Sequence, residues 1–298
     1  MSSRCLDVAA ALLALALACG AVAVRADEAR PHEARTLRVC ADPDNLPYSN
    51  RAEAGFENRI ARLVADELKA SLTYAWQPLG RGFVRKTLGS QLCDVFIGVP
   101  AGFERVLTTR PYYRSGYVFV NRAEADAVVS FDDPRLPQLR IGVQLIGNDL
   151  AATPPGYALA RHGAIDRVVG YTIMGDGPAA ERIVHDLENG ALDAALVWGP
   201  QAGYFAKHSA RPLRITPAAA PPDTDMPFEF AIAMGVAKTD RALRDDLDAV
   251  IAKRASDIAA ILDDYGVPRA SKADAGRTAT PTPLAASRSA PDSRRASP

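Results

Sequence analysis

The sequence predicts an α/β fold built as two α/β lobes with a hinge and a central cleft. Three observations carry that prediction. Short apolar strands alternate with amphipathic helices, the order of a sheet covered on both faces. The alternation reaches an apolar run at 117–121 (YVFVN), restarts, and returns through a second run at 228–236 (FEFAIAMGV). A long helical seam at 240–262 follows that return, so the second set of elements reads as an insertion into the first.

Taken in order, residues 36–41 (TLRVCA) form a strand and 42–47 (DPDNLP) a loop. From Glu57 the apolar residues fall at Ile60, Leu63, Val64 and Leu68, a helical spacing with charges on the other face. Residues 72–76 are a second strand, 83–88 a short helix and 93–99 a third strand. Strand, helix, strand, helix, strand implies right-handed crossovers. In the second lobe, 139–144, 168–173 and 194–198 read as strands, and 157–161, 179–188 and 201–207 as helices. The seam at 240–262 joins Leu243, Leu247, Val250, Ile251, Ile258, Ile261 and Leu262 on one face, and Tyr265-Gly266-Val267-Pro268 stops it. Lobe one is therefore expected over 36–121 plus 228–268, and lobe two over 122–227.

Both ends differ from this body. Residues 1–26 carry Arg4, an apolar run over 8–24 and then Val24-Arg25-Ala26. That is the pattern of a signal peptide cleaved near Ala26, with an exported product and no membrane span. Residues 269–298 are mostly Ala, Ser, Pro, Thr and Arg with a single Leu, too little apolar surface to order the segment, and they are expected to be a disordered tail.

Of 35 basic and 35 acidic side chains, 2 and 1 lie in the first 26 residues and 6 and 2 in the last thirty. The body keeps 27 against 32, a mildly acidic balance that argues against a nucleic-acid partner. Two cysteines remain after processing, Cys40 and Cys93, and an oxidising compartment suggests they pair. Placed in line on parallel neighbouring strands, however, their sulfurs would stand roughly 10 Å apart, which favours two small buried hydrophobes.

Enzyme signatures are weak. His32, His162, His185 and His208 are scattered without zinc-ligand spacing. There is no His-Glu-x-x-His, Gly-x-Ser-x-Gly or P-loop, and no Cys-x-x-Cys-His for covalent haem. Asp42-Pro43-Asp44 opens like a calcium loop, but Leu46 and Pro47 stand where an oxygen ligand and a glycine are needed. The expectation is a non-enzymatic protein with no cofactor and no metal.

Open α/β sheets place ligands beyond the carboxyl ends of their strands. The cleft candidates are therefore Asp42, Asn45 and Tyr48 after the first strand, Glu57 at the first helix, Arg81 before the second, and Gly98 and Arg105 around the third strand's end. From lobe two they are Gln144, Asn148, Trp198 and Gln201. Each has a plainer alternative. Asp42, Asn45 and Tyr48 also suit a turn and a cap. Arg81 suits a helix-entry turn, and Arg105 suits a pair with Glu104 or a clamp on the Arg110-Pro111-Tyr112 turn. Trp198, an indole at a strand end, suits either a stacking surface or a plug.

The stretches RVCADPDNLPYS, GFENRIARLVADEL and DVFIGVPAGFERVLTTRPYY, with the interrupted two-lobe order, resemble the bilobal periplasmic binding protein-like fold (type II). The third stretch is similar to amino-acid-binding members, a resemblance that implies Arg105 grips a ligand carboxylate as a bidentate fork. Those members also carry an acidic residue past the last strand of lobe two, to hold the ligand's ammonium. Here that place reads Trp198-Gly199-Pro200-Gln201, with no carboxylate. Their Gly-Thr-Thr-like helix opening is replaced by Gln144-Leu145-Ile146-Gly147-Asn148-Asp149. An ordinary amino acid is thus not the expected ligand.

The strings CADPDNLPYSN, RGFVR, LCDVFIGVPAGFERVLTT, YYRSGYVFV, GVQLIGND, LVWGPQAGYFAK and FEFAIAMGV together resemble the MxaJ/XoxJ family. That resemblance implies a non-catalytic periplasmic accessory protein of a PQQ-dependent methanol or alcohol dehydrogenase and its c-type cytochrome, acting in methylotrophy. The implied roles are maturation, activation or cytochrome interaction, with a small molecule in the cleft left open. The competing reading is an importer's solute receptor for a ligand unlike amino acids. A dehydratase on this fold would need a cleft acid, and Glu57 is the nearest candidate.

Overall fold

The computed structural model describes residues 35–146, 151–173 and 177–270. The expected signal peptide, the tail beyond Ala270 and Asn148 lie outside these residues.

The first lobe follows the predicted order. Strand β1 (Thr36–Ala41) turns Leu37 and Val39 into the core and leaves Thr36 and Arg38 outside. A two-strand hairpin, β2 (Asp44–Asn45) with β3 (Ser49–Asn50), leads to helix α1 (Phe56–Glu67). The helix buries Phe56, Ile60, Ala61, Val64 and Ala65, and Asn58 Oδ1 accepts the Gly55 amide at 3.1 Å to hold its first turn. Strand β4 (Ser71–Trp76) pairs parallel to β1. Short helix α2 (Phe83–Lys86) leads to β5 (Val95–Pro100), also parallel to β1. Strand β6 (Leu107–Thr108) then precedes the long β7 (Tyr113–Arg122).

Lobe two runs β8 (Ile141–Ile146), β9 (Ala151–Ala152), helix α3 (Pro154–Arg161), β10 (Val168–Thr172), α4 (Ala179–Glu188), β11 (Ala194–Trp198), α5 (Gly199–Lys207) and β12 (Leu213–Pro217). The last strand had no counterpart in the sequence reading. The chain returns through β13 (Glu229–Val236) and ends in α6 (Arg241–Lys253) and α7 (Ala255–Asp264).

Among the described residues, eleven strands share one sheet, with the main path β10-β8-β11-β7-β13-β5-β1-β4. Strand β7 changes partner along its length. Tyr113–Gly116 pairs antiparallel with Glu229–Ile232 of β13, whereas Tyr117–Arg122 pairs with β11 and β12. Separate apolar clusters fill the lobes: Phe56, Ile60, Val95, Met234, Leu247 and Ile258 belong to one, and Phe119, Phe131, Leu136, Ile141, Leu159 and Leu196 to another.

Both lobes use one device to join first and third strands. Arg38 binds Asp94 through its backbone amide (2.9 Å) and guanidinium (2.5 Å), and Arg140 binds Asp193 the same way at 2.8 and 2.7 Å. The guanidiniums also reach carbonyls, Gln91 O at 2.8 Å and Gly190 O at 2.8 Å.

Two expectations are corrected. The seam at 240–262 is not one helix. It breaks at Arg254 (φ −107°), where the guanidinium meets Glu67 of α1 at 3.2 Å and Asp257 at 2.6 Å. The cysteines are not apart: Cys40 and Cys93 form a disulfide, with Cα atoms 5.3 Å apart. Their in-line placement fails because β5 begins at Val95, so Cys93 lies in the turn ahead of the strand.

Lobe two meets lobe one through α5. A Cβ on Gly203 would lie 1.9 Å from the Gly266 carbonyl oxygen just past α7. Tyr204 stacks on Tyr265 (5.8 Å), and Lys207 donates to Asp264 O at 2.7 Å. Gly203→Ala is therefore expected to prise α5 from that turn and cost about 1–3 kcal/mol. Urea unfolding of the variant checks this, and an unchanged midpoint would refute it. Past Gly266 the chain is fastened to β7: Ser115 Oγ donates to Pro268 O at 2.6 Å, and Ala270 N to Arg114 O at 3.2 Å.

Candidate functional site: the interlobe cleft

From lobe one the cleft receives Tyr48 and Glu57, held together by backbone. Phe56 N donates to Pro47 O at 2.8 Å and Glu57 N to Tyr48 O at 2.9 Å. This packing needs glycine at 55, since a Cβ there would stand 2.0 Å from Tyr48 O. Glu57 then reaches over β5, where a Cβ on Gly98 would stand 2.0 Å from Glu57 Oε1. Gly98 is thus bare so that a carboxyl can lie against the strand. Next to it, the Tyr112 hydroxyl donates to Ile97 O at 3.0 Å.

Part of the Glu57 side chain remains accessible, but its carboxyl is desolvated, and burial pushes its pKa up to about 8. Among the described residues neither of its oxygens accepts a hydrogen bond or an ion pair. The hydroxyls facing it are raised too. Burial, then the nearby Glu57 charge, lifts Tyr48 and Tyr112 well above the usual tyrosine value, and burial with neighbouring Tyr112, Tyr48 and Glu57 lifts Tyr113. Burial alone pushes Tyr117 up to about 12.

Lobe two supplies an aromatic and an amide pair. Trp198 ends β11 and stands at the N-cap of α5, with Pro200 in the first turn. Its indole packs edge-on against Tyr117 (5.4 Å) and Phe230 (5.7 Å). Behind it, buried Gln144 donates through Nε2 to Gln201 Oε1 at 2.8 Å and accepts the Trp198 amide at 3.1 Å on Oε1. The place without a carboxylate thus holds two amides joined by one hydrogen bond.

The structure brings together Tyr48, Glu57, Gly98, Trp198, Gln144 and Gln201. The other candidates stand in other roles. Asp42 organises its loop, accepting from Asp44 N at 2.8 Å and Leu79 N at 2.6 Å. Asn45 lies in the hairpin and takes Tyr48 N on its carbonyl at 2.9 Å. Arg81 is exposed just ahead of the left-handed Gly82 (φ 78°) that opens α2. Arg105 is exposed on the turn between β5 and β6, and it makes no ion pair with Glu104. Sequence reasoning missed Tyr112, whose hydroxyl reaches Ile97 O, and Phe230, which packs on Trp198. No cluster of three or more metal-ligating side chains occurs among the described residues, and none of their helices is long and apolar enough to cross a membrane.

No protein-family profile matches the chain. Individual relatives do. Protein MoxJ of Methylorubrum extorquens is 36% identical over 288 residues, spanning 87% of this chain and 92% of that protein. The crystal structure of periplasmic binding protein XoxJ from Methylobacterium extorquens AM1 is 38% identical with TM-score 0.67, covering 80% of this chain and all of that one. The crystal structure of MxaJ from Methlophaga aminisulfidivorans is 26% identical with TM-score 0.69, covering 79% of this chain and 100% of that one. With this identity over nearly the whole of MoxJ, and with a mixed α/β sheet of the bilobal type II form, the chain belongs to the MoxJ/XoxJ/MxaJ family.

Proposed function

We propose that this chain is a non-catalytic periplasmic partner of a PQQ-dependent alcohol dehydrogenase and its c-type cytochrome. In this reading it is a solute-receptor scaffold whose outer surface does the recognising. The observation that carries the reading is the lobe-two wall: Gln144 donates to Gln201 and accepts the Trp198 amide where a receptor would bond its solute. Membership of the MoxJ family supports the choice of partner.

The test is association of the purified chain with the purified dehydrogenase, followed by size-exclusion chromatography and by dehydrogenase turnover with cytochrome as acceptor. A stable complex or a change in turnover is expected, and it should survive removal of residues 271–298. The second reading, an importer receptor for a ligand unlike amino acids, is favoured by the unpartnered Glu57 carboxyl. It predicts a metabolite that at 100 times its Kd adds about 2.7 kcal/mol of stability. Such a shift, with no association to the dehydrogenase, would replace the first reading by the second.

A further inference from the structure

The residues between β4 and β5 form an exposed platform on lobe one. Leu79 N donates to Asp42 Oδ2 at 2.6 Å at one end, and the Cys40–Cys93 disulfide ties the other. Between them Phe83 packs on Phe96 (5.3 Å), Thr87 Oγ1 donates to Phe83 O at 2.7 Å, and Arg38 Nη1 reaches Gln91 O at 2.8 Å. With its backbone held at these points, the platform has little to order on binding.

From Pro78 to Cys93 the chain carries Arg81, Arg85 and Lys86 and no carboxylate. All three cations are exposed. Arg85 and Lys86 lean over Gly82, where an added Cβ would stand 3.5 Å from Arg85 Nη2 and 3.9 Å from Lys86 Cε. A fourth cation joins them through the loop after β1. Arg51 N donates to Pro43 O at 3.0 Å, next to the Asp42 that takes Leu79 N, and the Arg51 guanidinium lies over the Trp76 ring at 6.0 Å. None of the four makes an ion pair among the described residues. Of the carboxylates in the adjoining loops, Asp42 accepts the Asp44 and Leu79 amides and Asp94 is held by Arg38, while Asp44 is exposed. Leu79, exposed, and Trp76, half-buried, add apolar surface to the strip.

Two features select the partner's chemistry. Neighbouring cations without counter-ions repel one another, and an incoming anionic surface relieves that repulsion. Arginine mixed with leucine and tryptophan suits a protein interface, where arginine and aromatic residues are enriched. The body, with 27 basic against 32 acidic side chains, repels an extended polyanion, so the complementary charge is local.

We propose that Arg51, Trp76, Leu79, Arg81, Arg85 and Lys86 form a docking face for the acidic surface of a folded protein partner. The proposal rests on the partner reading above only for the identity of that partner, the dehydrogenase; the face itself follows from this cluster.

Two measurements test it. In the first, amide NMR shifts of the isotopically labelled mature chain are followed as an acetylated, amidated peptide of four glutamates around a central leucine is added. Saturable shifts confined to the strip and its neighbours are expected, and they should fade between about 50 and 300 mM salt as the screening length shortens. In the second, association with the purified dehydrogenase is timed. Arg85→Glu with Lys86→Glu should slow association about tenfold or more and leave dissociation nearly unchanged. Arg81→Glu alone should act in the same direction, and it stands in if the double variant fails to fold. Arg211→Glu, exposed on lobe two, should change neither measurement.

Peptide shifts that are absent or scattered elsewhere overturn the proposal, as does a folded reversal variant that associates with the dehydrogenase as fast as the wild type. Peptide binding on the strip without any complex with the dehydrogenase supports the face and counts against the partner reading, so the two failures are told apart.

Discussion

Replacing both Cys40 and Cys93 by alanine is expected to lower the free energy of unfolding by about 4 kcal/mol. The disulfide closes a loop with a sequence separation of 53 residues, and loop-closure entropy for that length gives a figure of this size. The loop contains α1 and β4, so the cross-link restrains the half of lobe one that presents Tyr48 and Glu57. Both sulfurs are buried beside Leu88, Phe96, Val99 and Val106, so alanine leaves no polar group stranded there. Urea unfolding with and without reductant gives the measurement. Reduced wild type and the double alanine variant should shift together, with a fall in Tm on the order of 10 °C. A shift below about 1 kcal/mol in both would show that the sulfurs act only as small hydrophobes, as strand spacing first implied.

The second large effect concerns pH. Glu57 has a folded pKa of about 8 against an ordinary 4.5. Below the ordinary value both states hold the proton and the group contributes nothing to the pH dependence. Between the two values the unfolded chain has lost the proton and the folded chain still holds it, so stability falls as pH rises. The slope is at most about 1.4 kcal/mol per pH unit, and it ends near the folded pKa. Discounted for the part of the side chain that water reaches, the loss at about pH 8 is on the order of 2 kcal/mol. Glu57→Gln should remove this slope and be the more stable protein at the alkaline end. The surrounding tyrosines are raised and do not titrate in this window. Asp133, Asp193 and Glu188 are held below their usual range by hydrogen bonds from Arg135, Arg140 and Ser209, so their effect falls at lower pH and is common to both proteins. Parallel stability curves for the two proteins between about pH 5 and pH 8 would sink the prediction.

Much of the fold was legible because it is written in periodicity. The Ile60-Val64 face, the strand TLRVCA and the return FEFAIAMGV each satisfy one local rule, and each lies where that rule puts it. What was not legible depended on partners distant in sequence. Nothing around Arg254 breaks a helix, and the apolar seam runs on from Ile251 to Ile258; the break occurs where one guanidinium meets Glu67, 187 residues away in the chain. Strand β7 reads as a single element and yet serves two neighbourhoods. The disulfide was misjudged because strand spacing cannot register that Cys93 leaves the strand line.

The candidate site divides the same way. Trp198-Gly199-Pro200-Gln201 showed that a carboxylate was missing, since absence of a residue type is visible in a string. That Gln201 would meet Gln144 across 57 positions was not visible. Nor was the burial of Glu57, which depends on a glycine 41 positions later having no side chain. A glycine inside an apolar strand was the one available signal, because it marks a close approach.

The fastening of Pro268 and Ala270 to Ser115 and Arg114 has a mechanical meaning. These residues sit on the stretch of β7 where its partner changes, the place that travels least when one half of a clamshell swings against the other. Whatever polypeptide follows therefore departs from the axle and not from a rim. A tether, tag or docking segment attached there would neither be dragged by opening nor bar the entrance.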